Sequence, residues 1–172
     1  MNGNGDILAG LRAFEELRQL KAAYFRCMDG RDWEGLREVF THDAVFDMRD
    51  EVAALRASGY DLPEDAGLVT GREAIVASMV RGTAGIVSVH LGHMPELTID
   101  SADTASGTWA LEDIMRMPED SAVAEIRGYG RYHENYVRSD GRWRIAHLTF
   151  TRTLRYVQMK DGTTSVYAAL PH

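Results

Sequence analysis

Near residue 85 the hydrophobic period of this chain switches from helical to extended, and few folds accommodate that order. Over residues 7–28, apolar side chains return every three or four positions: Ile7, Leu11, Phe14, Leu17, Leu20, Tyr24, then Cys27 and Met28. This is the stripe of an amphipathic helix, entered through Asp6 as its cap. Asp29-Gly-Arg-Asp-Trp33 interrupts the stripe. Gly30 suits the left-handed residue that closes a helix, and Asp32 can cap a second helix running to about Phe40. Thr70-Gly-Arg-Glu73 has the form of a capping box and predicts a third helix over about 71–81, stopped by Gly82. From there on, β-branched and aromatic residues dominate 86–91, 96–100, 106–117, 123–137 and 143–156, separated by Asp, Gly, Ser or Pro. Ser139-Asp-Gly-Arg142 is a hairpin signal between two long strands, and Gly128 and Gly130 suit a bulge or bend. Helices first and strands afterwards predict an α+β fold, with a strongly bent antiparallel sheet wrapping three N-terminal helices.

One short strand is expected at 44–48, and residues 49–69, with a helix-like 51–56 and a turn at Pro63, read as an insertion or flap in a single domain spanning 1–172. With 45% hydrophobic residues the chain can close one core unaided, and its lone Cys27 rules out an internal disulfide or a multi-cysteine metal site. The formal charge of -7, with Lys and Arg scattered, disfavours nucleic acid and anionic membrane surfaces as partners. Residues 1–6 carry no basic or apolar leader, and no stretch approaches the roughly 18 apolar residues of a spanning helix, so a soluble cytoplasmic protein is expected. No metal-ligand spacing, Walker loop, G-x-G-x-x-G or G-x-S-x-G elbow is present, so neither metal nor cofactor is expected.

Candidate chemistry is sparse. Asp29 stands at the end of a helix whose carbonyl dipoles point toward it, an unfavourable place for a carboxylate without a partner. It reads either as a solvated turn residue or as one half of a pair. His90, in Ser88-Val-His-Leu-Gly-His93, lies on a strand opposite Val87, Val89 and Leu91. It is either a satisfied structural histidine or, held by a carboxylate in one tautomer, a general base. Tyr24, five residues before Asp29, is a core tyrosine or an oxyanion donor. Alternation places Trp109, Leu111, Asp113, Met115 and Met117 on one face; if that face is buried, Asp113 must be paired or neutral. Arg152 either grips an anionic group on a substrate or forms a surface ion pair. Leu148, Phe150, Leu154 and Tyr156 suggest an apolar convex face and hence a homodimer or homotrimer.

Taken together, the helix ending Met28-Asp-Gly-Arg-Asp-Trp33, Phe40-Thr-His-Asp-Ala-Val-Phe46, Thr70-Gly-Arg-Glu73, Val89-His-Leu-Gly92 and Gly130-Arg-Tyr132 followed by Ser139-Asp-Gly-Arg-Trp-Arg-Ile145 resemble the SnoaL-like group of the nuclear transport factor 2-like superfamily. The resemblance covers about residues 7–157 and implies a cone-shaped barrel with a mostly antiparallel sheet. It includes scytalone dehydratase, bile acid 7α-dehydratase, hexachlorocyclohexane dehydrochlorinase and ketosteroid isomerase types. In the subset most like this chain, an Asp after the first helix and a His in an H-x-G strand motif form a dyad, which falls on Asp29 and His90. The tyrosine of the bile acid enzyme falls on Tyr24. The resemblance departs where Met115 replaces a second pocket histidine of scytalone dehydratase, where Met48 replaces a tyrosine, and where His93 replaces an asparagine.

What this implies is a cofactor-independent lyase acting on a hydrophobic cyclic metabolite such as a steroid, polyketide or aromatic derivative. Tyr24, Asp29 and His90 would be catalytic, with Arg152, Asp113, Met48, Trp109 and Met115 against the substrate. An isomerase or cyclase using the same base, and a non-catalytic subunit like those of ring-hydroxylating dioxygenases, stand as alternatives.

Overall fold

A computed structural model describes residues 3–57 and 61–169. Its first helix, α1 (Gly3–Gly30), begins before Asp6, so that residue lies inside the helix rather than capping it. Ile7, Leu8 and Leu11 are exposed, and the apolar stripe reaches the core from Ala13 and Leu17 onward, through Tyr24, Cys27 and Met28. The helix closes with two backbone bonds, Arg31 N–H to the Met28 carbonyl (3.3 Å) and Asp32 N–H to the Cys27 carbonyl (2.9 Å). The left-handed residue this ending requires is Arg31 (φ 57°), one position later than the glycine that the sequence favours. Asp32 then caps α2 (Trp33–Val39), its carboxylate accepting from the Gly35 N–H at 2.9 Å, as its spacing predicts.

The chain continues through β1 (Phe40–Asp47), α3 (Arg49–Ala57), β2 (Leu68–Thr70) and α4 (Arg72–Gly82). No side chain caps α4: Gly71 occupies the cap position at φ 88°, and Glu73 turns to Arg37 (2.8 Å) instead of back to the helix start. The capping-box reading of this segment is therefore corrected, although the helix boundaries match. Five further strands, β3 (Val87–Gly92), β4 (Glu96–Ile99), β5 (Thr104–Arg116), β6 (Val123–Ser139) and β7 (Arg142–Met159), follow the expected extended runs, and β8 (Thr164–Ala168) is added at the end.

These strands form one open sheet in the order β2-β1-β7-β6-β5-β3, with β4 also on β5 and β8 on β7. All pairings are antiparallel except β1 with β7, which is parallel. The β6–β7 hairpin turns on Asp140 (φ 52°) and Gly141 (φ 72°), a pair of left-handed residues as its Asp-Gly dipeptide demands. Register slips at Val123/Glu125, Tyr129/Gly130 and Asn135/Tyr136 bend and coil this hairpin, the last two as bulges in β7. They also reset the alternation of β7. Its buried residues run Trp143, Ile145, then Leu148, Phe150, Arg152, then Arg155. Leu148 and Phe150 accordingly face the helices, which corrects their expected placement on a convex apolar face. The core joins Leu17 and Tyr24 of α1, Leu36, Phe40 and Ile75 to the concave side of β5, β6 and β7. None of the described helices is long and apolar enough to cross a membrane.

Candidate active site

The tight α1 ending sets the last-turn side chain of Asp29 against β3, where three donors converge on its carboxylate. One oxygen accepts from the Ser88 hydroxyl (2.9 Å) and lies 2.6 Å from His90 Nδ1; the other accepts from the His90 backbone N–H (2.9 Å). Partial burial raises the Asp29 pKa, but the bonds from the His90 ring, the His90 backbone and Ser88 outweigh it and hold the carboxyl below its usual range. Asp29 and His90 are therefore in direct contact. Ser88, two residues before His90 on the same strand face, belongs with them; period-two alternation carries that signal. Phe25 stacks on the imidazole with ring centroids 6.3 Å apart and planes at 10°.

His90 lines a cavity of about 380 Å³ enclosed by α1, α3, α4 and the concave sheet. Its walls are largely apolar, with Met28, Phe46, Met48, Met79, Ile86, Met115, Met117, Ile126 and Phe150, while Tyr24, Tyr132, Asp113, Arg152, Arg155 and Glu51 contribute polar groups. Met48, Met115, Asp113 and Arg152 are among its lining residues. Trp109 does not line it: its indole N–H donates to the Tyr136 hydroxyl (2.8 Å) within the core. The reason is depth along β5, since Trp109 sits four residues from Asp113 toward the packed end of the cone. Asp29 stands behind His90, beside a separate surface recess with Arg31 and Ile86.

Tyr24 and Tyr132 form the aromatic wall next to His90, their ring centroids 5.9 Å apart in an edge arrangement. Burial pushes the Tyr24 phenol well above its ordinary range; Glu134 adds to this, and a hydrogen bond from Tyr132 opposes it. Burial does the same to Tyr132. Both phenols are neutral donors across the working pH range of most proteins. Tyr132 escaped sequence reasoning, although alternation along β6 puts Gly128, Gly130, Tyr132, Glu134 and Tyr136 on one buried face.

Asp113 is the ladder partner of His90 on β5, and around it four charges balance. Arg152 Nη1 donates to Asp113 (2.9 Å) and its Nε to Glu51 (3.2 Å), while Arg155 Nη1 donates to the other Glu51 oxygen (2.7 Å). Asp113 is paired because its face is buried, and Arg152 is no surface ion pair. A β-carbon at Gly128 would lie 1.6 Å from Arg152 Nη1, so the missing side chain is what admits the guanidinium. Glu51 and Arg155 have no local motif to betray them. Glu51 arrives from α3, far away in sequence, and Arg155 turns inward only through the β7 bulge at the Tyr129/Gly130 slip.

His93, His133 and His147 lie off the cavity. His93 approaches Glu112 at 3.7 Å, and His133 and His147 line a polar groove on the outer side of the sheet with Thr108 and Thr149. Among the described residues, no group of three or more His, Cys, Asp or Glu side chains is arranged to hold a metal ion.

A sequence model of the SnoaL-like domain matches residues 9–149. Solved structures with the same architecture include a protein of unknown function from Mycobacterium tuberculosis (19% identity, 93% of this chain and 80% of that one, TM-score 0.70). Another is hexachlorocyclohexane dehydrochlorinase LinA-type3 from Novosphingobium barchaimii LL02 (19% identity, 96% and 99% coverage, TM-score 0.68). A third is a scytalone dehydratase-like protein from Novosphingobium aromaticivorans (17% identity, 94% and 92% coverage, TM-score 0.70). At these identities the likeness is one of fold.

Proposed function

The chain belongs to the SnoaL-like family of the nuclear transport factor 2-like superfamily, and from that premise we propose that it is a cofactor-independent lyase for a hydrophobic cyclic small molecule. The observation that carries this reading is the 2.6 Å contact between Asp29 and His90 Nδ1 at the wall of an apolar cavity. With Nδ1 engaged, Nε2 is the nitrogen left to take a proton from substrate carbon. Asp29 holds the ring's orientation and matches the positive charge that the ring acquires, as a carboxylate behind a general base does.

The C–H electron pair moves toward an adjacent carbonyl, whose oxygen accepts a hydrogen bond from the Tyr24 phenol while negative charge accumulates there. Collapse of that enolate forms the new double bond and expels a β leaving group with its electron pair. The proton on His90 is then free to return to the departing hydroxide, or to solvent when the leaving group is halide. Steroids, polyketides and aromatic derivatives fit the cavity's apolar walls and its volume of about 380 Å³. Within the expected flap of residues 49–69, of which 58–60 lie outside the described residues, α3 covers the cavity with Glu51 and Leu55, and the exposed Val87, Val89 and Leu91 of β3 offer an apolar strip for self-association, which sedimentation velocity measures directly.

The test is a thermal-shift screen of steroids and aromatic acids followed by product analysis on a ligand that is turned over. His90→Ala is expected to keep the fold by circular dichroism and lose about 10²–10⁴-fold in kcat. Full activity in that variant overturns the reading, and an isomerised product without loss of a leaving group replaces elimination by isomerisation.

A further inference from the structure

Lys21 is 1% exposed, a burial that a lysine tolerates only when its charge is matched. Its ammonium pairs with Glu134, whose second oxygen accepts from the Tyr136 hydroxyl at 2.5 Å. The same ammonium lies 3.6 Å from the ring centroid of Tyr132, 4.4 Å from that of Tyr24 and 4.9 Å from that of Phe25. Lys21 itself does not reach the cavity, yet two of these rings line it and the third stacks on His90. Core packing alone would place a leucine or methionine here, because an ion pair in an apolar interior adds no net stability over a well-packed apolar pair.

We propose that Lys21 is a positioning residue for the oxyanion end of the site: its ammonium, held beneath the rings of Tyr24 and Tyr132, draws electron density from both phenols and strengthens the chain in which Tyr132 donates to Tyr24 and Tyr24 donates to a substrate oxygen that gains negative charge. The inference rests on the enolate-forming reading above and adds to it a second phenol, Tyr132, behind Tyr24, and a buried cation that acts through the rings. A cation within about 6 Å of an aromatic face attracts its electrons most strongly where water is excluded. Glu134 opposes this field, while the ammonium stands directly against the rings, 3.6 Å from one centroid and 4.4 Å from the other. The two phenols would therefore act in series on a developing oxyanion, where the sequence points to one tyrosine alone.

The experiment uses the full chain and two probes of nearly equal shape, 4-nitrophenolate and 4-nitroanisole, titrated at a pH where the phenol is ionised in water. Their affinity ratio reports preference for an oxyanion separately from apolar binding. Wild type is expected to prefer the phenolate. Lys21→Met combined with Glu134→Gln removes both buried charges and leaves no orphan ion, so it keeps the fold; its ratio is expected to fall about tenfold while anisole binding stays constant. Lys21→Met alone, which leaves Glu134 facing the phenols, lowers the ratio at least as far. An unchanged ratio in the double variant, or no phenolate binding to wild type, overturns the role of Lys21. Neither result depends on turnover, so the His90→Ala experiment decides the elimination reading on its own.

Discussion

At residue scale, the Asp29 carboxylate does two jobs that a single substitution separates. It binds the His90 ring and the β3 backbone, so Asp29→Asn keeps the size and one acceptor but loses the charge that fixes the tautomer. Turnover of an accepted substrate is expected to fall about 10²–10⁴-fold, with substrate affinity little changed, as read by the split of kcat and KM. Stability has its own pH signature. Because the folded carboxyl titrates below its unfolded value, its contribution is complete above about pH 4 and is lost as pH falls through the lower, folded value. Urea midpoints measured through that acid range are therefore expected to drop more steeply for wild type than for Asp29→Asn; parallel curves would remove the linkage. Tyr24, Asp29 and His90 were legible because each departs from its local background: a polar tip on an apolar stripe, an acid at the wrong helix end, an imidazole in a β-branched run. Glu51 was not. Nothing about an acidic residue in a short helical segment reports that two guanidiniums across the cavity will enclose it.

At the scale of elements, helix and strand periods located almost every segment, and the errors gather at chain reversals and bulges. The end of α1 is instructive. Gly30 stays helical and Arg31 adopts φ 57°, an unfavourable conformation for a side chain with a β-carbon. Arg31 accepts that strain while its guanidinium donates to the carbonyls of Thr83 (2.8 Å) and Ile86, tying α1 to the link between α4 and β3. These effects oppose each other, and two variants resolve them. Arg31→Ala keeps the backbone strain and loses the ties, whereas Arg31→Gly loses both. Arg31→Gly is expected to be about 1 kcal/mol more stable than Arg31→Ala in denaturant unfolding. Strand β7 shows why strict alternation was a poor guide to facing. Two slips in eighteen residues shift the inward set from odd to even and back to odd, and no residue type in β7 marks them. One of the two has a marker on the partner strand, where Gly130 leaves the Thr151 carbonyl the room to approach; the slip at Asn135/Tyr136 has no such glycine.

At the scale of the whole molecule, two neighbouring polar clusters fasten the elements around the cavity, a half-buried one around Asp29 and a buried one around Arg152. The second joins β5, β6, β7 and α3, elements that local sequence patterns could locate but not connect. Gly128 is the place to test it, because its own side contributes only empty space. In Gly128→Ala the new methyl would stand 1.6 Å from Arg152 Nη1 and 2.4 Å from Asp113 Oδ1, so the guanidinium must leave and Asp113 is left buried without its counter-ion. Breaking such a pair costs about 3–5 kcal/mol, more than the 1–3 kcal/mol of simple overpacking. Displacement of Arg152 also loosens its bond to Glu51, so α3 is expected to lose hydrogen-exchange protection through Arg152. If overpacking alone operates, Gly128→Ala loses the smaller amount and α3 exchanges as in wild type. A loss of the larger size, with faster exchange confined to α3 and the adjoining stretch of β7, marks the four charges as one cooperative unit that closes the cavity.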